Sequence, residues 1–570
     1  MKLLTMTVQN FRCINGEKTT ISFQDSDIIF IFGQNNAGKS AMLAAYEYLV
    51  NPKQVAGIND FCGFVETNPI KIIAEFKKED ADQADFATKG FDKWVDGSGI
   101  IRFRKTWISA NVEGQKETWD PSTEEFVNNG FGGLESHFKN QAPTAIRIPA
   151  MASPEELSKW VTDVMKKSIL KTLKDEEAEA YQKVVDEIKG LQERVLSKDA
   201  ITKLGEKANL NFRKVFPGLS LEVNTEIGAE VDISKMLEKE FSVTVKDPRH
   251  GDVCQKVTDF GHGVVRQTMF NILGLVKQEV PIEDPARTGN TKSFLILFEE
   301  PEIYLHPKAI TLLRKALYDI CENSPFQILC ASHSSHLIDI SKPHTSLVRM
   351  VKNENGTTDV YQVGDSIFSS TDEIKQQVQM INRFNPHVCE SFFADDIIMV
   401  EGDTEAIVVR ELLAQKAPER DIFVLNTGSK NNMPFFQSIF THFNIKHQII
   451  HDGDSRYLYD KDGTPKLNAD GTNKHNSAWS LNQSIWDGIL AAQAIRPDMA
   501  CRYVSIPNFE GENGYVYDSK KGKPLSAYEF VKNLTIVDEK PIQKFINKIL
   551  DPNNTYNQFP QSEIETLITN

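Results

Sequence analysis

The chain has 570 residues, 40% of them hydrophobic and 25% charged, and carries a formal net charge of −15. That length exceeds what one hydrophobic core organises and calls for roughly three or four domain-sized units of ordinary globular composition. The acidic balance argues against a protein that grips nucleic acid through a broad basic face, but it is compatible with a site where carboxylates hold cations that in turn bridge to phosphate.

No stretch reaches the ~18–20 apolar residues of a membrane span, and the amino end, MKLLTMTVQNFRC, lacks a signal-peptide core. The seven cysteines are scattered, with no CxxC pair, which argues against a disulfide framework or structural zinc. A cytoplasmic protein without membrane contact is expected.

In chain order, the first expected elements are the strands LLTMTV, TTISF and DIIFIF. The last runs into Gly33-Gln34-Asn35-Asn36-Ala37-Gly38-Lys39-Ser40, which opens the helix SAMLAAYEYLV. This is GxxxxGK[ST] in the strand–loop–helix setting that the motif requires. Its glycines let backbone N–H groups wrap phosphates, and the helix N-terminus adds partial positive charge. Lys39 would neutralise β/γ-phosphate charge and the Ser40 hydroxyl would ligate Mg²⁺, so ATP with Mg²⁺ is the expected ligand.

Strands IKIIAEF and IIRFRKTW follow within a region ending near residue 152. Residues 153–216 are rich in Lys and Glu and nearly free of Gly and Pro. Apolar residues there recur at helical spacing, predicting about two or three amphipathic helices. They read as an insertion in the nucleotide-binding domain, packed on that domain or serving as a dimerisation arm. Strands return over 217–365, where Phe294 to Phe298 form the continuous apolar run of a strand covered on both faces. Glu299 at its end is placed to hold Mg²⁺ through water, and Glu300 to orient a water toward the γ-phosphate. Strand QILCAS leads to His333, placed to sense that phosphate.

A connector at 366–391 precedes a third region, 392–570, of repeated strand–turn–helix units. Its strands end at Glu401, at Asn426 before Gly428, at Asp452 with Asp454, and before Glu510 and Glu512. Strands alternating with helices imply a parallel sheet, which gathers ligand groups beyond the strand carboxyl ends. Clustered carboxylates are costly without a cation, and hard oxygen donors suit Mg²⁺ or Mn²⁺. The set suffices for two ions about 3.5–4 Å apart that would cut a phosphodiester. The turns DKDG and NADG after Asp454 lack EF-hand spacing and read as a polar hairpin or substrate-side loop.

The nucleotide motifs resemble those of ATP-binding-cassette (ABC) ATPases of the SMC, Rad50 and RecF type. Val8-Gln9-Asn10-Phe11-Arg12 is similar to their NFR strand, whose arginine lies near the nucleotide. Glu299-Glu300-Pro301-Glu302 with Leu305-His306-Pro307 resembles their Walker B and D-loop, and Ser332-His333-Ser334 their switch histidine. The resemblance implies a signature loop lent by a second subunit. Gly261-His262-Gly263 is the candidate, though it lacks the usual serine; a plain turn before a helix is the other reading.

The third region resembles the Toprim fold through Glu401 and Glu405 in VEGDTE, Gly428, and Asp452 with Asp454 in HDGD. An ABC ATPase followed by Toprim is the layout of the OLD (overcoming lysogenization defect) family, and the resemblance covers most of the chain. It implies an α/β fold: an SMC/Rad50/RecF-like ATPase domain with a helical insertion, then a Toprim-like parallel-sheet domain. It also implies an ATP-binding and -hydrolysing endonuclease of DNA, dependent on Mg²⁺ or Mn²⁺, nicking or cutting both strands, in defence against bacteriophage. Glu401, Asp452 and Asp454 would do the cutting, joined as metal ligands by Glu405, Glu510 and Glu512. A transition-state lysine is expected beyond the last acids: Lys523 in KKGKPLSAYEF, with Lys520 and Lys521 as rivals. A homodimer or homotetramer follows from the family, and a helicase-like, retron or other defence partner stays open. The competing reading is an SMC-like DNA-binding or sensor ATPase whose Toprim region is only scaffold.

Overall fold

The computed structural model describes residues 1–23, 26–79, 90–128, 141–150, 293–322, 324–339, 345–364, 386–460, 462–534 and 539–551, with isolated positions between them. The helical insertion expected at 153–216 and the Gly261 turn fall almost wholly outside these residues, as does the connector expected at 366–391 up to residue 385. The chain divides into two compact units, one of Met1–Ala150, Asp284–Glu302 and Pro325–Asn570, the other of Met151–Glu283 and Ile303–Ser324.

In chain order the larger unit begins with β1 (Lys2–Gln9), β2 (Thr20–Ser22), β3 (Ile28–Gly33), helix α1 (Lys39–Val50), β4 (Ile70–Lys77), β5 (Ile100–Trp107), β6 (Gln115–Asp120), β7 (Glu125–Asn128) and β8 (Thr144–Ile148). The smaller unit contributes the antiparallel pair β9 (Thr244–Lys246) and β10 (Cys254–Lys256), and α2 (Pro307–Cys321), which starts at a proline behind the cap of His306. The larger unit resumes with β11 (Phe294–Glu299), β12 (Phe326–Ala331), β13 (Thr345–Lys352) and β14 (Thr358–Val363).

Two six-stranded sheets result, ordered β2-β1-β4-β5-β6-β7 and β14-β13-β3-β12-β11-β8. The first is antiparallel, and β4 alternates buried and half-buried residues along its length, as a strand with one face on a core does. The second is parallel apart from β14. Its central strands IIFIFG, FLILFE and FQILCA are apolar and buried almost throughout, because both faces are covered. Helix α1 touches both sheets. Its small residues Ala41, Ala44 and Ala45 and the larger Tyr46 and Leu49 join β1, β4, β11 and β12 in one core. Burying each large side chain there contributes roughly 1.5–3 kcal/mol.

The remainder alternates β15 (Asp396–Val400), α3 (Asp403–Lys416), β16 (Phe423–Asn426), α4 (Met433–His442), β17 (Lys446–Asp452), α5 (Ser477–Ile495), β18 (Ala500–Ser505), α6 (Phe509–Asn513), α7 (Gly522–Lys532) and α8 (Pro541–Leu550). The strands form a parallel sheet in the order β16-β15-β17-β18. Helices α3, α7 and α8 share one core with β15, β17 and β18, while α4 and α5 pack on each other and on β17 and β18. The segment after Asp454 is a polar hairpin with bridges Tyr457–His475, Tyr459–Pro465 and Leu467–Asn473. Asp462 and Asp470 each accept from the threonine two residues on, which closes each turn of the hairpin. Among the described residues no helix is long and apolar enough to cross a membrane.

Candidate functional site

The glycine loop leaves the centre of the mostly parallel sheet. Gly33 has φ 138°, and a Cβ there would come within 1.9 Å of the Met350 carbonyl oxygen. Gly38, at φ 112°, caps α1 and would drive a Cβ to 2.6 Å from Ile14. Both conformations favour glycine. Lys39 is nearly buried and donates to the carbonyls of Gly33 (2.8 Å) and Gln34 (2.9 Å). Burial lowers its pKa, against the pull of Glu300. Asn35 and Ser40 are exposed on the same loop, so the lysine closes the loop on itself and the hydroxyl stays open to a ligand.

The carboxylates expected beside this loop sit at the ends of β11 and β12. Glu300, at φ 45°, donates its N–H to Ala331 (2.7 Å), joining the two strand ends. His333 Nε2 lies 3.6 Å from the Glu300 carboxylate. Glu302 accepts from Ser332 Oγ (2.9 Å) and from the His333 N–H (2.7 Å), fixing the turn that carries the histidine. Glu299 faces Arg147 at 3.4 Å, and Arg147 also pairs with Glu47 at 2.8 Å. No motif announces Arg147, which comes from β8, 152 residues upstream of its partner. Arg12 is not on a strand: β1 stops at Gln9, and Arg12 stands in the following turn at φ 57°. Its guanidinium is held by Asp60 (3.0 Å) and lies over the rings of Phe11 and Tyr48. Gly263, described on its own, would press a Cβ to 3.0 Å from the Tyr304 carbonyl, a packing reason for glycine there.

In the third region the strand-end acids gather on one edge of the sheet. Glu401 follows β15 and accepts the Asp452 N–H at 2.7 Å. Asp452 ends β17, and its carboxylate accepts the Phe509 N–H at 2.8 Å. Burial pushes Glu401 up to about 7, and Asp452, also repelled by Glu401, up to about 8. Glu405 folds back over the Gly402 turn, where its Oε2 would meet a Cβ at 3.3 Å. Burial and then Glu510 raise its pKa, against the charge of Lys523. Glu512 sits beside Ser505, the register partner of Asp452, and burial raises it to about 7. Its Oε2 is buried without a hydrogen-bond partner among the described residues. Lys521 is tied to Glu529 at 2.6 Å, and the charge of Lys523 acts on Glu405.

The turn Asp452-Gly453-Asp454 is held from several sides. Gly453 N–H donates to Ser505 O (2.8 Å) and Asp454 N–H to Pro507 O (2.9 Å). Behind it, the fully buried Asn482 donates to Gly453 O (2.8 Å), and Arg502, stacked on Trp486, donates to Asn482 O (2.7 Å). From the loop after β16, Lys430 donates to Asp452 O and to the Asp454 carboxylate. Lys430 escaped the sequence reading; its position two residues beyond Gly428 was the available signal. Among the described residues no three acidic, histidine or cysteine side chains already stand as a coordination set; Glu401 and Asp452 accept backbone N–H groups and Asp454 meets Lys430. The donor chemistry nonetheless fits a hard divalent ion: oxygen ligands only, raised carboxyl pKa values and an orphaned Glu512 oxygen.

The loop meets the third region at Asp395, just ahead of β15. Its carboxylate accepts from Gln34 Nε2 (2.8 Å) and from Arg349 of β13. Arg349, nearly buried, also donates to the Phe443 (2.9 Å) and Ala394 (3.3 Å) carbonyls. Phe32 of β3 packs on Phe393 and Phe443.

Comparison with known proteins adds to this geometry. Residues 392–454 match the family described as "Overcoming lysogenization defect protein-like, TOPRIM domain". Residues 1–104 and 135–338, together more than half of the chain, match the family described as "AAA ATPase domain". The Old nuclease of Escherichia phage P2 is 22% identical, over 80% of this chain and 77% of its own length. Endonuclease GajA of Bacillus cereus strain VD045 is 23% identical, over 82% and 77%. Among solved structures, the SMC head domain from Thermotoga maritima covers 64% of this chain and 99% of its own at 12% identity, with a TM-score of 0.32.

Proposed function

The chain belongs to the OLD family, an AAA-type ATPase joined to an OLD-like Toprim domain, and from that premise we propose that it is an ATP-regulated, divalent-metal-dependent DNA endonuclease serving in defence against phage. The observation that carries this reading is the convergence of Glu401, Glu405, Asp452 and Glu510. Burial first, and then the charges of Glu401, Glu405 and Glu510, lift Asp452 to about 8. Carboxylates so placed call for a compensating cation.

Glu401, Asp452 and Asp454 are the ligands proposed to hold a divalent ion, with Glu405, Glu510 and Glu512 completing a second position. A cation bound there supplies an activated water and charge for the departing oxygen. The chain's own part is to bring the acids to one edge, to hold the Asp452-Gly453-Asp454 turn rigid, and to present Lys523 beside Glu405, where an ammonium offsets charge growing on the phosphate. In the ATPase domain Lys39 leaves its two loop carbonyls for the β/γ-phosphates. Glu300 and His333, 3.6 Å apart, flank the space for the γ-phosphate.

The test is plasmid DNA incubated with the full chain and Mg²⁺ or Mn²⁺, against EDTA, with and without ATP. Metal-dependent cutting is expected. Glu401→Gln and Asp452→Asn should each lower it at least about 100-fold while ATP binding persists, and Lys39→Ala should weaken ATP binding without unfolding the chain. Undiminished cutting by both acid variants would remove the assignment.

A further inference from the structure

Lys430 is 4% exposed, yet its ammonium lies within the acid cluster. It donates to Asp452 O at 2.5 Å and to Asp454 Oδ2 at 2.7 Å. A buried ammonium is unfavourable unless oxygens surround it, and here both oxygens belong to the one turn that supplies two of the proposed metal ligands.

The backbone that delivers it is equally fixed. Thr427 donates its N–H (3.0 Å) and its hydroxyl (2.9 Å) to Val400 O, pinning the loop after β16 to the end of β15. Asn426 Oδ1 accepts the Gly428 N–H (2.8 Å), and Gly428 turns the chain at φ 72°. Ser429 then caps a short helical turn whose first residue is Lys430. With strands ordered β16-β15-β17, the lysine reaches from the first strand end across the second to the third. In doing so it crosses the strand that bears Glu401.

We propose that Lys430 is a positioning residue of the nuclease site: a built-in cation that aims the Asp454 carboxylate and competes with the divalent ion for it. The inference rests on the nuclease reading and deepens it. A lysine that merely braced the fold would, when replaced, weaken metal binding, stability and cutting together. A competing cation gives an opposite pair of changes. Its removal makes the cluster more negative and tightens metal binding, while cutting slows because Asp454 loses its aim.

The experiment titrates Mn²⁺ alone into the full chain by calorimetry, without ATP or DNA, for the unaltered protein, Lys430→Met and Lys430→Arg. It then measures cutting of plasmid DNA at saturating Mn²⁺. Lys430→Met should bind Mn²⁺ at least about tenfold more tightly and cut at least about tenfold more slowly. Lys430→Arg, which keeps the charge in a different shape, should return Mn²⁺ affinity to the unaltered level. If Lys430→Met fails to fold, Lys430→Gln keeps a hydrogen-bond donor to Asp452 O without the charge and carries the same expectation. Weaker Mn²⁺ binding in the neutral variants, or cutting at the unaltered rate, overturns the proposal. Tighter Mn²⁺ binding in a chain whose unaltered form never cuts DNA would strike the nuclease reading instead and leave the competing charge in place.

Discussion

Asp452 shows how much one residue's surroundings decide. A free aspartate is ionised above about pH 4, whereas burial and then Glu401 hold this one near 8, and burial holds Glu401 near 7. In the metal-free protein the native state therefore binds more protons than the unfolded chain between roughly pH 4 and 8. The stability these groups contribute is complete below about pH 4 and is lost as pH rises through 7 and 8. In EDTA, melting temperature should thus fall by a few degrees from pH 5.5 to 8.5 beyond the drift of an Asp452→Asn chain, which should melt higher than the unaltered protein at pH 8.5. Mn²⁺ should reverse the order, raising the unaltered protein's melting temperature most at high pH and leaving Asp452→Asn little changed. A metal-free melting temperature that rises across this range relative to that of Asp452→Asn would contradict the burial of these carboxyls.

At the scale of elements, what the sequence disclosed was local. An apolar run, a glycine turn and a helix mark β3, the phosphate loop and α1. An apolar run ended by an acid marks β11, β15 and β17, so the nucleotide loop and most of the metal candidates could be read directly. The partners were hidden because nothing nearby in sequence announces them: Arg147 meets Glu299 across 152 positions and Lys430 meets Asp454 across 24. Arg12 was misplaced for a related reason, since the β-like pattern of VQNFR does not register the left-handed turn that follows Gln9. The close approach at Gly33 likewise depends on a strand more than 300 residues away. Gly33→Ala should fail to give a stable, ATP-binding protein, because its Cβ would meet backbone at 1.9 Å; a folded, ATP-binding alanine variant would show the loop has room. Asn482→Ala, which frees Gly453 O, should cost about 1–3 kcal/mol and slow cutting, read by denaturant melts and plasmid assay together. An unaffected cutting rate would mean the turn is held well enough by Ser505, Pro507 and Lys430.

For the whole molecule the question is how a nucleotide could be felt by acids on another sheet. The path is short. Lys39 now holds the carbonyl of Gln34, and Gln34's side chain holds Asp395 at 2.8 Å. Asp395 is anchored on its other oxygen by the nearly buried Arg349 and immediately precedes β15, whose far end carries Glu401 roughly 17–20 Å on at ordinary strand rise. If Lys39 turns to the phosphates, Gln34 would lose that restraint, and β15 is the element that would carry a change in its grip on Asp395. A coupling of this kind is a free energy shared by two sites, and it is measured as the ratio of cutting rates with and without ATP. Asp395→Ala should bring that ratio toward one, with ATP affinity changed less than about threefold. Gln34→Ala should do the same, and adding it to Asp395→Ala should change the ratio almost no further, because the Gln34–Asp395 contact is already gone in Asp395→Ala, which removes the Arg349 pair as well. Were the ratio in Asp395→Ala equal to that of the unaltered chain, or the two effects simply to add, nucleotide and nuclease would have to communicate by a route that bypasses this pair.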